Sequence, residues 1–395
     1  MADPTLNSTQ KLPRAEAGMA VAMATSADRP PSGRIRGLDT LRFLAAFVVV
    51  VSHIPLLPIS VAHSGVRIGV FLEALQRSLF NGTAAVVVFF LISGFVIHHP
   101  YAQTTRVPLA EFWCRRWLRI CLPLFAVTLL AMAFSLKDFP LFWQVGFRWI
   151  PLGPGQGYLF DTLILWSLVA ELIYYLIYPG LHRVALRLGW APLVGISFGL
   201  SWLVVSFQPQ ARVAGNFTNW LCWLAAMPPW VMGVWLADRH VNHPSAPPDP
   251  QRRGRLWGWR LALLAGSLAT KALSSPPVGT WPVITYSWTM PCFGIIALFW
   301  LRAELAGFSV RPPVAWLEKL GLSSYSLYLV HIPAREIWAR LVATEFAENH
   351  FILSNLALWL AALGFSYLFF QLIELPSWKF ARRMANFYTV KAPVP

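Results

Sequence analysis

Ten apolar runs, each near the roughly 20 residues a helix needs to cross a hydrocarbon core, follow one another along this chain with only short polar intervals between them. They fall at about 38–59, 80–98, 117–136, 162–181, 190–207, 217–237, 256–273, 282–301, 316–334 and 351–373. The composition agrees. At 56% hydrophobic and 12% charged, with 20 Trp and 27 Phe, the chain lies outside the balance of a soluble domain. The expectation is an all-α polytopic membrane protein, a bundle of about ten transmembrane helices.

An even number of crossings puts both termini on one side, and basic residues mark that side as cytoplasmic. With the termini cytoplasmic, about three-quarters of the 32 Lys and Arg fall inside. The formal charge of +15 is then mainly topological, and no single basic, aromatic-interleaved patch argues for nucleic acid. Residues 1–33, rich in Ala, Ser, Pro and Thr, read as a disordered cytoplasmic tail without the order of regions a signal peptide has. Residues 34–376 form the transmembrane domain and 377–395 a short basic cytoplasmic tail, too short to carry chemistry of its own. Cys114, Cys121, Cys222 and Cys292 have no metal-ligand spacing and read as inert thiols.

Titratable groups inside hydrocarbon are costly and usually have work to do. The first run opens with Asp39 and Arg42 and carries His53 eleven residues after Arg42. At 1.5 Å per residue, His53 lies roughly 16 Å beyond Arg42, near the middle of a core about 30 Å thick. Glu171 in the fourth run and His331 in the ninth, each twelve residues from an inner basic residue, reach the same layer. A histidine beside a carboxylate suits general-base chemistry. The same three groups also suit a buried hydrogen-bond network that only ties helices together.

At the inner start of the third run, Arg116 and Arg119 share a helix face where two guanidinium forks can grip phosphate oxygens, with Arg115 beside them. Positive-inside anchoring is an equally good reading of the three. Ser93 and Gly94, and Ser324 with Tyr325, either allow close helix packing or line a groove for an extended cofactor arm. Trp143, Trp149, Trp220, Trp223 and Trp230 fit an interfacial belt better than a sugar platform. Walker, HExxH, GxSxG and Rossmann signatures are absent from the sequence.

These motifs, in this order, resemble the acyltransferase 3 family of integral membrane O-acyltransferases. The resemblance rests on Arg42 and His53 as an Arg followed by ten residues and a His, and on Phe90 to Phe95 as Phe-x-x-Ser-Gly-Phe. It rests also on Arg116 and Arg119 as Arg-x-x-Arg, on Trp166 to Tyr174 as Trp-Ser-Leu-x-x-Glu-x-x-Tyr, and on Ser324 to His331 as Ser-Tyr-x-x-Tyr-x-x-His. Thr40 stands where the family often has Gly, and Pro123 comes one residue later than is common. The resemblance implies that acyl-CoA, commonly acetyl-CoA, docks from the cytoplasm and that a hydroxyl of a surface carbohydrate or similar acceptor is acylated, with no metal, in a bacterial inner membrane.

On that reading His53, oriented by Glu171, is the general base, or forms an acyl-histidine. Asp39 and Arg42 order the cofactor end or pair with each other; Arg115, Arg116, Arg119, Ser93, Ser324 and Tyr325 hold acyl-CoA; and His331 is a possible additional site residue. The competing class is a proton-coupled transporter or flippase using the same mid-membrane charges.

Overall fold

The computed structural model describes residues 35–55, 67–134, 165–213, 221–243, 252–275, 283–342 and 344–390, among which there is no strand. The helices run α1 (Leu38–His53), α2 (Arg67–Leu79), α3 (Gly82–His98), α4 (Leu109–Ala133), α5 (Leu165–Leu188), α6 (Trp190–Phe207), α7 (Cys222–Ala225), α8 (Met227–Asn242), α9 (Arg252–Ser274), α10 (Tyr286–Phe308), α11 (Ala315–Gly321), α12 (Ser324–Leu341), α13 (Thr344–Asn349), α14 (Phe351–Phe369) and α15 (Leu375–Val390). Helix occupies part of every apolar run. Four helical stretches, Phe71–Tyr101, Trp190–Phe207, Tyr286–Phe308 and Ile352–Phe387, are long and apolar enough to cross a membrane. The tail expected at 1–33 lies outside the described residues.

Several boundaries differ from the hydropathy reading, each for a local reason. Helix α4 begins two turns before the third run, with the Phe112 amide donating to the Pro108 carbonyl at 2.8 Å, so Arg115, Arg116 and Arg119 lie inside a helix rather than at its start. The sixth run breaks at Ala226, because Pro228 and Pro229 at the head of α8 favour a helix start and cannot continue one from α7. The ninth run breaks between α11 and α12. At the end of the tenth run the chain passes through a π turn, Phe370–Glu374, into α15, where only a short basic tail was expected. Small residues Ala381 and Ala385 give α15 a buried stripe, and the helix packs along α4.

Helix α2 inverts the pattern of a soluble amphipathic helix. Phe71, Leu72 and Leu75 are exposed while Glu73 and Gln76 are buried, the arrangement of a helix with lipid outside and polar protein inside.

Helices α3 and α8 approach each other closely. A Cβ on Gly94 would collide with the Trp230 carbonyl, and one on Gly233 with the Leu91 carbonyl, so each glycine admits the other helix's backbone. Gly94 is therefore a packing residue. Its neighbour Ser93 is left to face the interior between α3 and α5.

Substituting Gly94 or Gly233 by Ala should cost about 1–3 kcal/mol, the usual range for overpacking. Thermal unfolding of purified protein in detergent should show both variants melting below wild type, and a similar Ala at Gly195, in a helix interior where a Cβ meets nothing within 4 Å, should melt no lower than wild type.

Candidate active site

Five helices converge on a pair of adjoining cavities. The first is lined by Arg42 of α1, Ser93 of α3, Arg116 and Arg119 of α4, Glu171 and Tyr175 of α5, and Tyr325 of α12. The second shares Arg42, Ser93, Glu171 and Tyr325 and continues between Phe89, Phe90 and Leu168 to Ser167, Ser324 and Tyr328. Glu171 stands where they meet. Its carboxylate accepts from the Ser93 hydroxyl at 2.7 Å and from the Tyr175 hydroxyl.

Arg42, Arg116 and Arg119 form no ion pair within 4.0 Å with any carboxylate among the described residues. The guanidinium of Arg119 instead lies over the Trp378 ring at 4.3 Å, held by its π face. Three guanidinium groups beside one carboxylate, Glu171, give the cavity an excess of positive charge. Guanidinium forks match phosphate oxygens bidentately, so the first cavity has the chemistry of a phosphate site. The second is mostly apolar with a few hydroxyls, and suits a slender arm carrying a few polar groups.

At the far end of the second cavity, the Tyr328 hydroxyl and Ser167 Oγ are hydrogen-bonded at 2.7 Å. The ring of His331, one turn along α12, is centred 6.2 Å from that of Tyr328, and the His53 ring lies 5.2 Å from His331. Nε2 of His331 is 3.3 Å from Nδ1 of His53. The two histidines that helix rise placed at one depth are thus in contact.

The structure divides the residues singled out in the sequence. Arg42, Ser93, Arg116, Arg119, Glu171, Ser324 and Tyr325 line the cavities. Arg115 does not; it pairs with Glu111 at 2.7 Å and donates to Asn386 of α15 at 3.4 Å. Asp39 lies against the α11–α12 break, where a Cβ on Gly321 would strike its carbonyl. Glu171 is bonded to Ser93 and Tyr175 rather than to His53. Trp230 is fully buried and stacks on Tyr174, with ring centroids 4.9 Å apart, so it belongs to the core; Trp143, Trp149 and Trp220 lie outside the described residues.

Comparison with known proteins places this geometry in a wider setting. The model of the acyltransferase 3 family, described as an acyltransferase domain, matches residues 35–374. The chain is 27% identical over 365 residues to "Acyltransferase MdmB" of Streptomyces mycarofaciens, covering 84% of this chain and 87% of that protein. It is 27% identical over 306 residues to "Nodulation protein 10" of Rhizobium leguminosarum bv. viciae, covering 62% of this chain and 78% of that one. No solved structure matches.

Two carboxylates that hydropathy passed over hold this site together. The N-cap of α1 is Gly37, in the left-handed region at φ 89° and without a side chain to cap the helix. Glu318 of α11 supplies the cap: its Oε1 accepts from the Thr40 amide at 3.0 Å and the Thr40 hydroxyl at 2.7 Å. The Thr40 departure from the family pattern is matched by this partner. Glu374, fully buried in the π turn, accepts from the Ser326 amide at 3.1 Å and hydroxyl at 2.5 Å and so fixes the first turn of α12. A lone acid just before Pro376 at the end of an apolar run was the available signal. Tyr175 and Arg335 could have been found as the i+4 neighbours of Glu171 and His331.

Thr40→Val keeps the shape of the side chain and removes one donor to Glu318. It should lower stability by about 1 kcal/mol, read as a lower melting temperature in detergent, while Thr40→Ser should retain most of the wild-type value.

Proposed function

The chain belongs to the acyltransferase 3 family, and from that premise we propose that it is a membrane O-acyltransferase that moves an acyl group, acetyl foremost, from cytoplasmic acyl-CoA to a hydroxyl of a cell-surface or exported carbohydrate. The observation that carries this reading is that the two cavities adjoin, sharing Arg42, Ser93, Glu171 and Tyr325 in their walls. They run from three arginines without carboxylate ion pairs among the described residues to Tyr328, beside the His331–His53 pair.

In this reading Arg42, Arg116 and Arg119 take the phosphates of the donor, with Trp378 steadying Arg119. The pantetheine arm follows the second cavity, whose Ser93, Ser167, Ser324 and Tyr325 offer hydroxyls to its amides. Glu171, at the junction, is an acceptor for an amide N–H of that arm. The thioester is then carried toward His53. Nε2 of His53 takes the proton of the acceptor hydroxyl as its oxygen attacks the thioester carbon; the C–S bond breaks, and the departing thiolate is protonated by the imidazolium. Atoms and charge balance without a metal.

The same reading has ten crossings, both termini in the cytoplasm and residence in a bacterial inner membrane. It gives the inner ends of α3 and α4 to the donor side and the His53 end of α1 to the acceptor. The similarity to a protein named as an acyltransferase across 84% of the chain supports the reaction class over a carrier.

Purified His53→Ala should retain acyl-CoA binding and lose acyl transfer by about 100-fold or more; wild-type turnover would remove His53 from the chemistry. The Arg116→Ala/Arg119→Ala double variant should lose acyl-CoA affinity by about 10-fold or more, as expected for two charge-assisted contacts. Calorimetric titration reads this directly, and unchanged affinity would return both residues to membrane anchoring.

A further inference from the structure

We infer that His331, through its Nε2, is the acceptor that fixes His53 as its Nδ1–H tautomer and receives that N–H when the ring becomes charged, taking the place a carboxylate holds beside most catalytic histidines. The inference rests on the general-base reading of His53 and names the group that makes it work.

Two backbone carbonyls decide the tautomers. Nδ1 of His53 is 2.9 Å from the Val49 oxygen, which can only accept, so that nitrogen carries the hydrogen. Nδ1 of His331 is 2.8 Å from the Tyr328 oxygen and carries one for the same reason. A neutral His331 then has a bare Nε2, and this is the atom that faces the His53 Nδ1–H at 3.3 Å. The hydrogen on His53 is shared between the Val49 carbonyl and the His331 lone pair. The opposite assignment fails: a hydrogen on His331 Nε2 would point at another N–H and set the bare Nδ1 lone pair against the Tyr328 oxygen at 2.8 Å, in a ring that is fully buried.

The consequence is chemical. With Nδ1 committed, Nε2 of His53 is left as the lone pair that takes a proton. His331 is a positioning residue in this account; it does not need to touch substrate.

The groups that face His53 from neighbouring helices support the assignment. From α12 come His331 and Arg335, whose Nη1 donates to the His53 carbonyl at 3.3 Å and so fixes the end of α1. Against the preceding Ser52, α3 brings Gly82; α14 brings Asn355, which donates to the Pro55 carbonyl at 3.1 Å. Among the described residues, Val50, Val51, Ile54, Leu358 and Trp359 form one apolar cluster at this end of α1. Glu171, the carboxylate the sequence suggested, is engaged by Ser93 and Tyr175.

A neutral acceptor stabilises an imidazolium less than an anion does, because it lacks the charge–charge attraction of a low-dielectric site. The ring therefore returns its proton readily, which suits a reaction whose leaving thiolate needs it back. Arg335 nearby opposes a second positive charge on the pair, so the dyad handles one proton at a time.

Solid-state NMR of 15N-histidine-labelled protein in lipid, with His53 assigned by difference from His53→Gln, reads the tautomer independently of activity. The expected result is Nδ1–H on His53 in the neutral form; Nε2–H would overturn the inference. Kinetics supply the second arm. His331→Phe should lower kcat by about 100-fold with KM for acyl-CoA little changed and the pH–rate profile displaced, and His331→Asn, whose amide oxygen can accept, should recover part of the rate. A folded His331→Phe enzyme with wild-type kcat and pH profile would also overturn it. If His53→Ala is inactive while His331→Phe is fully active, only the orienting role fails; if His53→Ala is active, the general-base reading itself fails.

Discussion

Helix α1 is held at its start by α11 and at its end by the helix that follows, α12, and the rest of the site depends on that grip. At its start Glu318 of α11 caps it through Thr40, and Asp39 packs against Gly321 at the α11–α12 break. At its end His331 and Arg335 of α12 hold the ring and the carbonyl of His53. Between these points Leu327 of α12 packs into the cluster formed by Phe43, Ala46, Val50 and Val51. A helix so fixed sets a rigid spacing, roughly 16 Å by helix rise, between Arg42 and His53. One end belongs to the arginine cavity and the other to the histidine pair.

Buried charge is the second theme, and the protein treats its two signs differently. Glu171, and Glu374 through Oε2 alone, accept from hydroxyl and amide donors rather than from a guanidinium, and Oε1 of Glu374 is buried without a hydrogen-bond partner among the described residues. Away from the site, Glu304 is locked by Arg260 at 2.7 and 3.0 Å and by the Trp300 indole at 3.1 Å, a closed structural ion pair. The cavity arginines have no such closure among the described residues. An arginine without a carboxylate at ion-pair distance keeps its guanidinium donors for another partner, which distinguishes the cavity arginines from the Arg260–Glu304 strut.

Much of this was legible from residue spacing. Helix rise alone put His53 and His331 at one depth, and their rings touch; the i, i+3 spacing of Arg116 and Arg119 put both on one wall of the first cavity. What spacing could not give was azimuth. Glu171 sits at the junction of the two cavities, yet its face of α5 turns to Ser93 and Tyr175, and depth carries no information on rotation about a helix axis. Hydropathy was blind to Glu318 and Glu374 because each lies at the edge of an apolar run, where an acid looks like ordinary surface. It was blind also to α15, whose packing on α4 rests on the small residues Ala381 and Ala385 and on the Trp378 contact with Arg119 rather than on a long apolar run.

The central claim is that one rigid helix joins a phosphate site to a basic histidine. Cryo-electron microscopy of the protein in nanodiscs with a non-hydrolysable acyl-CoA analogue tests it most directly. The account predicts diphosphate density within hydrogen-bonding distance of Arg116 and Arg119, with Arg42 beside it, and the acyl end past Tyr328 next to His53. Phosphates bound away from these arginines, or an acyl group ending in a compartment not shared with His53, would contradict it.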